Sequence, residues 1–184
     1  TYVKNGKRGA TLTATADAGY IEQTINSPTL FRSIKMFGHC YLRRVSGSGN
    51  AKIQIIDSAG TTSGDVVTET SAFTSSIAER TVDGSASSLK VRILLSKSGD
   101  VFALDDLSFF PEGGATWTEP QEFSSNIYAA CGRAIYKWDD TNEIFNAVYV
   151  DSTHQITDLI SYKGALYAGR GTSAVYLRSA DGTT

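Results

Sequence analysis

The 184 residues of this chain are enough for one large domain or two small ones, and 41% of them are hydrophobic, which allows a packed core. The net charge of −2 gives no general attraction to nucleic acid or to an anionic membrane. No stretch of 18 apolar residues occurs, so no membrane-spanning helix is expected. Gly, Ser and Thr between segments rich in Val, Ile, Tyr and Phe predict many short strands joined by turns.

The region 1–112 is predicted to be an antiparallel β-sandwich of jelly-roll type. Its candidate strands are separated by turn sequences such as Ser46-Gly47-Ser48-Gly49-Asn50 and Ser98-Gly99-Asp100. Eight short strands at this spacing favour two packed antiparallel sheets. The candidate strands are 10–15, 19–25, 31–45, 51–57, 65–71, 77–82, 88–96 and 101–110.

Alternation along a strand divides the long strand 31–45 into two faces. One face is aliphatic and is expected in the core, because each large apolar side chain left in water costs roughly 1.5–3 kcal/mol. It comprises Ile34, Met36, Gly38, Cys40 and Leu42. The opposite face is aromatic and basic and is expected to point outward.

That outward face is the predicted binding surface. Aromatic rings stack on sugars, and Arg and Gln donate directional hydrogen bonds, but the same residue types also suit a protein interface. Glycan contact, protein contact and an ordinary outer sheet face therefore remain open. With two side chains added from neighbouring strands, the predicted surface comprises Lys35, Phe37, His39, Tyr41, Arg43, Gln54 and Arg92.

The closing strand 101–110 carries two adjacent acids, Asp105 and Asp106. If alternate positions from Ala103 to Phe109 face the core, Asp105 is a buried carboxylate that needs a partner. Either a bound cation or backbone N–H groups can fill that role. Because neighbours in a strand face opposite ways, Asp105 and Asp106 are not expected to act together on one glycosidic bond.

The segment 113–122 is predicted to be a linker, and the region 123–184 contains a repeat. Asn126 to Gly132 resembles Ala165 to Gly171, and Ile135-Tyr136 is echoed by Val175-Tyr176 one residue out of step. A period of about 40 residues with several short strands is typical of β-propeller blades. A propeller needs several blades to close, so this region is predicted to be an incomplete propeller-like segment or a small β-meander.

The sequence gives little indication of a catalytic site. The two histidines, His39 and His154, are predicted to be surface residues, and no Gly-x-Ser-x-Gly elbow accompanies them. Cys40 and Cys131 lie in different predicted domains and are not expected to pair. The chain begins with Thr rather than Met and stops in a turn-like sequence, which we interpret as part of a longer polypeptide.

Region 1–112 resembles the galactose-binding-like jelly rolls, which include carbohydrate-binding modules and domains of bacteriophage tail and other virion proteins. The resemblance rests on the strand Gly19 to Ile25, on the long strand 31–45 after a Ser-Pro turn, and on the closing segment Leu104 to Phe109. It implies a structural calcium ion with Asp105 as one ligand. It also implies that some members bind glycans through aromatic residues.

These features predict a non-enzymatic structural or attachment component of an extracellular assembly, most simply a bacteriophage virion protein of a tail, fibre or decoration. Its expected partners are other copies, other proteins of the assembly or a surface glycan, without nucleic acid or a membrane span. The alternative is a glycan-binding module of a larger secreted carbohydrate-active enzyme. Both hypotheses place the chain outside the cell or in a virion.

Overall fold

The computed structural model describes residues 9–114, 116–171 and 176–180, which form two compact units. The first unit contains residues 9–25 and 36–109, and the second contains 26–35 and the described residues from 110 onward. Segment 26–35 thus groups with the second unit, while the domain boundaries expected at 112 and 122 stay predictions. Within the described ranges, no helix is long and apolar enough to cross a membrane.

The first unit is the predicted all-β sandwich. Its strands are β1 Ala10–Thr13, β2 Tyr20–Thr24, β3 Lys35–Ser46, β4 Ala51–Asp57, β5 Gly60–Ser63, β6 Thr74–Thr81, β7 Leu89–Leu95 and β8 Val101–Pro111. One sheet has the order β1-β8-β3-β6 and the other β2-β7-β4-β5. Apart from the β4–β5 hairpin, consecutive strands alternate between the sheets, which is the arrangement of a jelly roll. The predicted fold class is therefore confirmed.

Two of the predicted strands are placed differently. Pro28–Phe31 form a 3-10 helix, because proline suits the first helical turn, so the long strand begins only at Lys35. The strand predicted at 65–71 is not formed as such. The strand that follows β4 is β5, which begins after a tight turn and ends before residue 65. The Asp57 carboxylate accepts hydrogen bonds from the N–H groups of Ala59 and Gly60 and so closes that turn early.

The core of the sandwich lies between the aliphatic faces of the two sheets. Met36, Cys40 and Leu42 of β3 are at most 1% exposed, as the alternation predicts. A Cβ on Gly38 would lie 3.0 Å from Cδ1 of Ile53 in the opposite sheet, so this glycine allows the sheets to pack closely. Burial raises the pKa of the Cys40 thiol to about 12, which marks it as a small buried hydrophobe.

A buried ion pair connects the two sheets. Asp57, at the end of β4, accepts hydrogen bonds from Nε of Arg80 at 2.8 Å and from its Nη2 at 2.6 Å. Arg80 belongs to β6 of the other sheet, and Asp57 also accepts the N–H of Asp83 at 3.0 Å. The hydrogen bonds from Arg80 are the main reason that the pKa of Asp57 falls from 3.8 to about 2.

A second buried carboxylate, Asp100, holds two turns together next to the closing strand. It accepts the N–H groups of Ser48, Gly49 and Lys97 at 2.9–3.2 Å. A Cβ at Gly47 or Gly49 would collide with the Asp100 carboxyl group. Because these glycines have no Cβ, the backbone N–H groups of the turn can come close enough to donate hydrogen bonds to the Asp100 carboxylate.

The second unit contains two antiparallel meanders. Meander A consists of β9 Gln121–Phe123, β10 Asn126–Cys131, β11 Ala134–Asp139 and β12 Ile144–Val150, paired in chain order. Meander B consists of β13 Asp158–Tyr162, β14 Ala165–Gly169 and β15 Leu177–Ser179, also paired in chain order. Both belong to the same compact unit and share a hydrophobic core.

The two meanders repeat the same local geometry at an offset of 39 residues. Tyr128 is paired with Gln121 in meander A as Tyr167 is paired with Ile160 in meander B. The preceding turns also correspond, because both central residues have positive φ: 51° and 60° at Ser124 and Ser125, and 48° and 71° at Lys163 and Gly164.

The sequence similarity between Ile135-Tyr136 and Val175-Tyr176 does not agree with the observed strand pairing. Leu177 lies opposite Ala168 as Tyr136 lies opposite Ala129, so Leu177 and not Tyr176 takes the place of Tyr136. Val175 itself lies outside the described residues.

We expect Asp57→Asn to lower the free energy of unfolding of the first unit by about 3–5 kcal/mol, because it leaves the Arg80 charge largely buried without its counter-ion. Urea denaturation measures this change. Asp65→Asn, at an exposed acid in the same unit, is the control and should stay within about 0.5 kcal/mol of the unaltered chain. Equal effects of the two substitutions would contradict the role of the ion pair.

The lowered pKa of Asp57 also predicts a pH dependence. Because the folded pKa lies below the unfolded one, the extra stability is present above about pH 3.8 and is lost as the pH falls toward about 2. Between about pH 5 and about pH 2, the unaltered chain should lose about 2 kcal/mol more stability than Asp57→Asn does. Parallel pH profiles for the two proteins would show that Asp57 is not held as described.

Candidate functional site

The candidate site is the outer face of the β2-β7-β4-β5 sheet, opposite the buried side chains of Ile53, Ile55, Val91 and Ile93. The antiparallel register aligns outward side chains in rows across the strands. One row runs Glu22, Arg92, Gln54 and Ser63, and each is the direct partner of the next. The whole outer face comprises Tyr20, Glu22, Thr24, Lys52, Gln54, Ile56, Thr61, Ser63, Lys90, Arg92 and Leu94.

Arg92 is the best-held side chain of this face. Its Nε and Nη2 donate to Oε2 of Glu22 at 3.1 and 2.7 Å. Its Cζ lies 3.9 Å from the centre of the Tyr20 ring, which is within the range of a cation–π contact. The guanidinium is therefore fixed in position before any ligand arrives.

Glu22 and Gln54 complete the polar row. Glu22 also accepts a hydrogen bond from Nζ of Lys90 at 2.7 Å, and the hydrogen bonds from Lys90 and then Arg92 lower the pKa of Glu22. Nε2 of Gln54 donates to Oγ of Ser63 at 2.9 Å. Gln54 is itself buried, with 8% exposure, and Ser63 orients its amide.

The predicted binding surface is divided between two sheets. Gln54 and Arg92 lie on the β2-β7-β4-β5 sheet, whereas Phe37, His39 and Tyr41 lie on β3 of the other sheet. Since the outward faces of the two sheets are separated by the core, these residues do not form one surface. Alternation gives the inside and outside of each strand correctly, but it does not say to which sheet a strand belongs.

The part of the predicted surface on β3 is half-buried. The rings of His39 and Tyr41 meet edge to face with their centres 4.8 Å apart, and Arg43 lies 5.5 Å from the centre of the Phe73 ring. Lys35, the first residue of β3, groups with the second unit. A binding role for Lys35, Phe37, His39, Tyr41 and Arg43 stays a prediction.

Asp105 is buried, with 6% exposure, but the alternation expected around it is wrong. The φ of Asp106 is 50°, and a residue in the left-handed region interrupts the regular strand, so Leu107 is 45% exposed instead of buried. The Asp105 carboxylate accepts the N–H of Asp106 at 3.0 Å. Within the described ranges, no group of three His, Cys, Asp or Glu side chains could hold a metal ion, and a calcium ion at Asp105 stays a prediction.

The second unit contains a separate buried acid, Asp151. Burial alone raises its pKa, but the N–H groups of Thr153 and His154 and the charge of Arg170 together lower it to about 2. Nη2 of Arg170 lies 2.7 Å from Oδ2 of Asp151 and 3.0 Å from Nδ1 of His154. These contacts connect the end of β12 with the end of β14. The His154 side chain is 39% exposed, so it also has the surface position predicted for it.

Tyr20, Glu22 and Lys90 are not among the binding-surface residues predicted from the sequence. The signal was present in the strand Tyr20–Thr24, where Tyr20 and Glu22 alternate with Ile21 and Gln23. It could not be used because β2 and β7 are about 70 residues apart along the chain, and only their pairing shows that Glu22 lies opposite Arg92.

No family model matches the chain, and no curated protein matches it. One similar solved structure is the N-terminal part of the Clostridium thermocellum endo-1,4-beta-D-xylanase 10B, with its CBM22-1 and GH10 modules, complexed with xylohexaose. It has a TM-score of 0.45 and 17% identity over 61% of this chain, which spans only 23% of that chain. Another is the EclA C-terminal domain, a sugar-binding protein, with a TM-score of 0.43 and 14% identity over 59% of this chain and 81% of that one. The β-sandwich is defined by its own strand order.

We expect Lys90→Gln to raise the pKa of Glu22 toward its ordinary value of 4.5, because the hydrogen bond that lowers it most is removed. An NMR titration of the Glu22 carboxyl carbon measures the change. Lys97→Gln is the matched control, since Nζ of Lys97 lies near Oγ of Ser48 and away from this face. If Lys90→Gln leaves the titration unchanged, Glu22 is not bound as the geometry shows.

Proposed function

We propose that the first unit is a non-enzymatic carbohydrate-binding module and that the outer face of the β2-β7-β4-β5 sheet is its binding surface. The observation that carries the proposal is the exposed Tyr20 ring beside a row of fixed polar groups, Glu22, Arg92, Gln54 and Ser63. Sugars combine apolar C–H faces with a dense pattern of hydroxyl groups. An exposed aromatic ring next to directional donors and acceptors suits both features.

The rigidity of the row supports this proposal. Arg92 is held by Glu22 and Tyr20, and Gln54 is held by Ser63, so little side-chain entropy is lost when a ligand binds. Tyr20 itself is 53% exposed, which leaves ring surface for contact with a sugar. A row of fixed polar groups that crosses four strands favours an extended chain of sugar units over a single enclosed monosaccharide.

The charge of the face indicates the class of glycan. Lys52, Lys90 and Arg92 contribute three positive charges and Glu22 one negative charge, which gives a net charge of +2 on a chain whose total is −2. We therefore propose that the preferred ligand is an acidic glycan that carries carboxylate or sulfate groups. Screening by salt should weaken such binding.

A binding role suits this face better than catalysis. Hydrolysis of a glycosidic bond by the usual route needs two carboxyl groups on either side of that bond. Among the outward residues of β2, β7, β4 and β5, Glu22 is the single acid, and Lys90 and Arg92 already bind its oxygens. Glu22 therefore orients the cations of the face.

Binding of uronic-acid-containing and neutral oligosaccharides, measured by isothermal titration calorimetry, tests the proposal. Tyr20→Ala should weaken binding of the acidic oligosaccharide by about 1 kcal/mol, or roughly fivefold, through loss of ring contact. Arg92→Gln should weaken it roughly tenfold or more, because a charge-assisted hydrogen bond is lost. Added salt should weaken binding of the acidic ligand more than that of the neutral one.

Tyr162→Ala is the matched control, because Tyr162 is 54% exposed, almost the same as Tyr20, but belongs to the second unit. It should leave the affinity unchanged. If Tyr20→Ala and Tyr162→Ala have the same effect, or if no oligosaccharide of either class binds, the proposal is wrong. Loss of binding in Tyr41→Ala alone would move the site to the other sheet.

A structural or attachment component of an extracellular assembly, such as a virion, is the second candidate function. It is favoured by the apolar side chains that the second unit exposes, including Ile160 and Tyr162, each at 54%. We also propose that meanders A and B are propeller-like repeats, on the basis of their shared register and turns. Both candidate functions place the chain outside the cell or in a virion.

A further inference from the structure

Meander A buries one of its faces against meander B. Phe123, Tyr128 and Ala130 lie on that face and are at most 6% exposed. The side chains of meander B in the same core are smaller or branched and include Leu159, Leu166 and Ala168. The contact thus joins an aromatic face of one repeat to an aliphatic face of the next.

Meander B has an equivalent aromatic face, which is exposed. At the offset of 39 residues, Tyr162 takes the place of Phe123 and Tyr167 that of Tyr128. We call this surface the tyrosine face; it comprises Ile160, Tyr162, Tyr167 and Tyr176. These side chains line an open groove of about 520 Å³, and Ile160, Tyr162 and Tyr176 are 54–62% exposed.

We infer that the tyrosine face is a docking surface for a further β-meander of the same repeat type. On meander A, the equivalent face is covered by meander B. A third meander on the tyrosine face would therefore repeat an interface that is already present in the unit. The partner would present aliphatic side chains like those of Leu159, Leu166 and Ala168. This inference is independent of the proposed glycan binding, because it concerns the second unit alone.

A second copy of this chain is a less suitable partner. The aliphatic face of meander B is already used in the shared core. On the corresponding face of meander A, Ala129 and Cys131 are each 2% exposed, and the Trp117 ring lies 5.0 Å from that of Tyr136 beside them. Of the three β10 side chains on this face, Ile127 is the exposed one, at 42%. One exposed aliphatic side chain does not match the three of meander B, so we assign the partner surface to an additional repeat.

The test extends the full chain after residue 184 with a second copy of residues 142–180, which are 39 residues long. The added copy supplies a strand like β12 followed by a third meander. Tyr162→Phe, Tyr167→Phe and Tyr176→Phe in the added copy alone distinguish its peptides by mass. Nitration of the original Tyr162, Tyr167 and Tyr176, followed by mass spectrometry, should fall to the level of the buried Tyr128.

The matched control carries Leu159→Glu and Leu166→Glu in the added copy only. It should restore nitration of the tyrosine face to the rate of the unextended chain, because charged side chains cannot cover an apolar surface. If the tyrosines react equally fast with and without the extension, whether or not the added copy folds, the inference is overturned. Concentration-dependent dimerisation of the unextended chain with protection of the same tyrosines would also overturn it.

A measurement on the unextended chain provides an independent check. Tyr162→Ser should leave its urea midpoint unchanged, because the Tyr162 side chain is 54% exposed. Phe123→Ser, at the equivalent buried position, should lower the midpoint clearly. Equal losses for the two variants would show that the tyrosine face belongs to the core of the unit, and would refute a docking role.

Discussion

The Asp57 carboxylate is the constraint on which the first unit depends. Its two oxygens accept five hydrogen bonds, from the N–H groups of Ala59, Gly60 and Asp83 and from two nitrogens of Arg80. Apolar packing between two sheets sets their separation but permits sliding. A bidentate ion pair that is buried and fully hydrogen-bonded has one geometry, so it fixes how β4 lies against β6.

The candidate glycan-binding face follows from that constraint. Asp57 closes the turn between β4 and β5, and the resulting register places Ser63 beside Gln54. The next pairings place Arg92 beside Gln54 and Glu22 beside Arg92. Four strands, of which β4 and β5 are neighbours in the sequence and the others are distant, thus contribute one residue each to a continuous polar row. The inward residues of the same strands supply the core, so the fold and the surface use alternate positions of the same segments.

The sequence predicts which residues of a single strand face the core better than it predicts which strands lie in the same sheet. Alternation in β3 correctly separates Met36, Cys40 and Leu42 from the outward residues, because period-two patterning is a local property. It could not show that Gln54 and His39 lie on opposite sheets, since sheet membership depends on pairings between distant strands. It also failed at Asp105, where the positive φ of Asp106 interrupts the alternation that the prediction assumed.

The repeat in the second unit was visible for a related physical reason. The turns at Ser124-Ser125 and Lys163-Gly164 have the same backbone conformation, and the strands that follow have the same register. Tight turns and hairpins are local, so they leave similar residues at similar spacing. The third strand of meander A has a register shift between Ile135 and Tyr136, and there the sequence match with meander B is one residue out of register.

The two cysteines have a consequence for the conditions in which the chain can be handled. Cys40 and Cys131 are both buried free thiols, and burial raises their pKa values to about 12 and about 11. At neutral pH both remain protonated and shielded, so they are poor nucleophiles and poor targets for oxidants. Neither thiol is paired in this fold, so the described strands that hold Cys40 and Cys131 need no oxidation step to form.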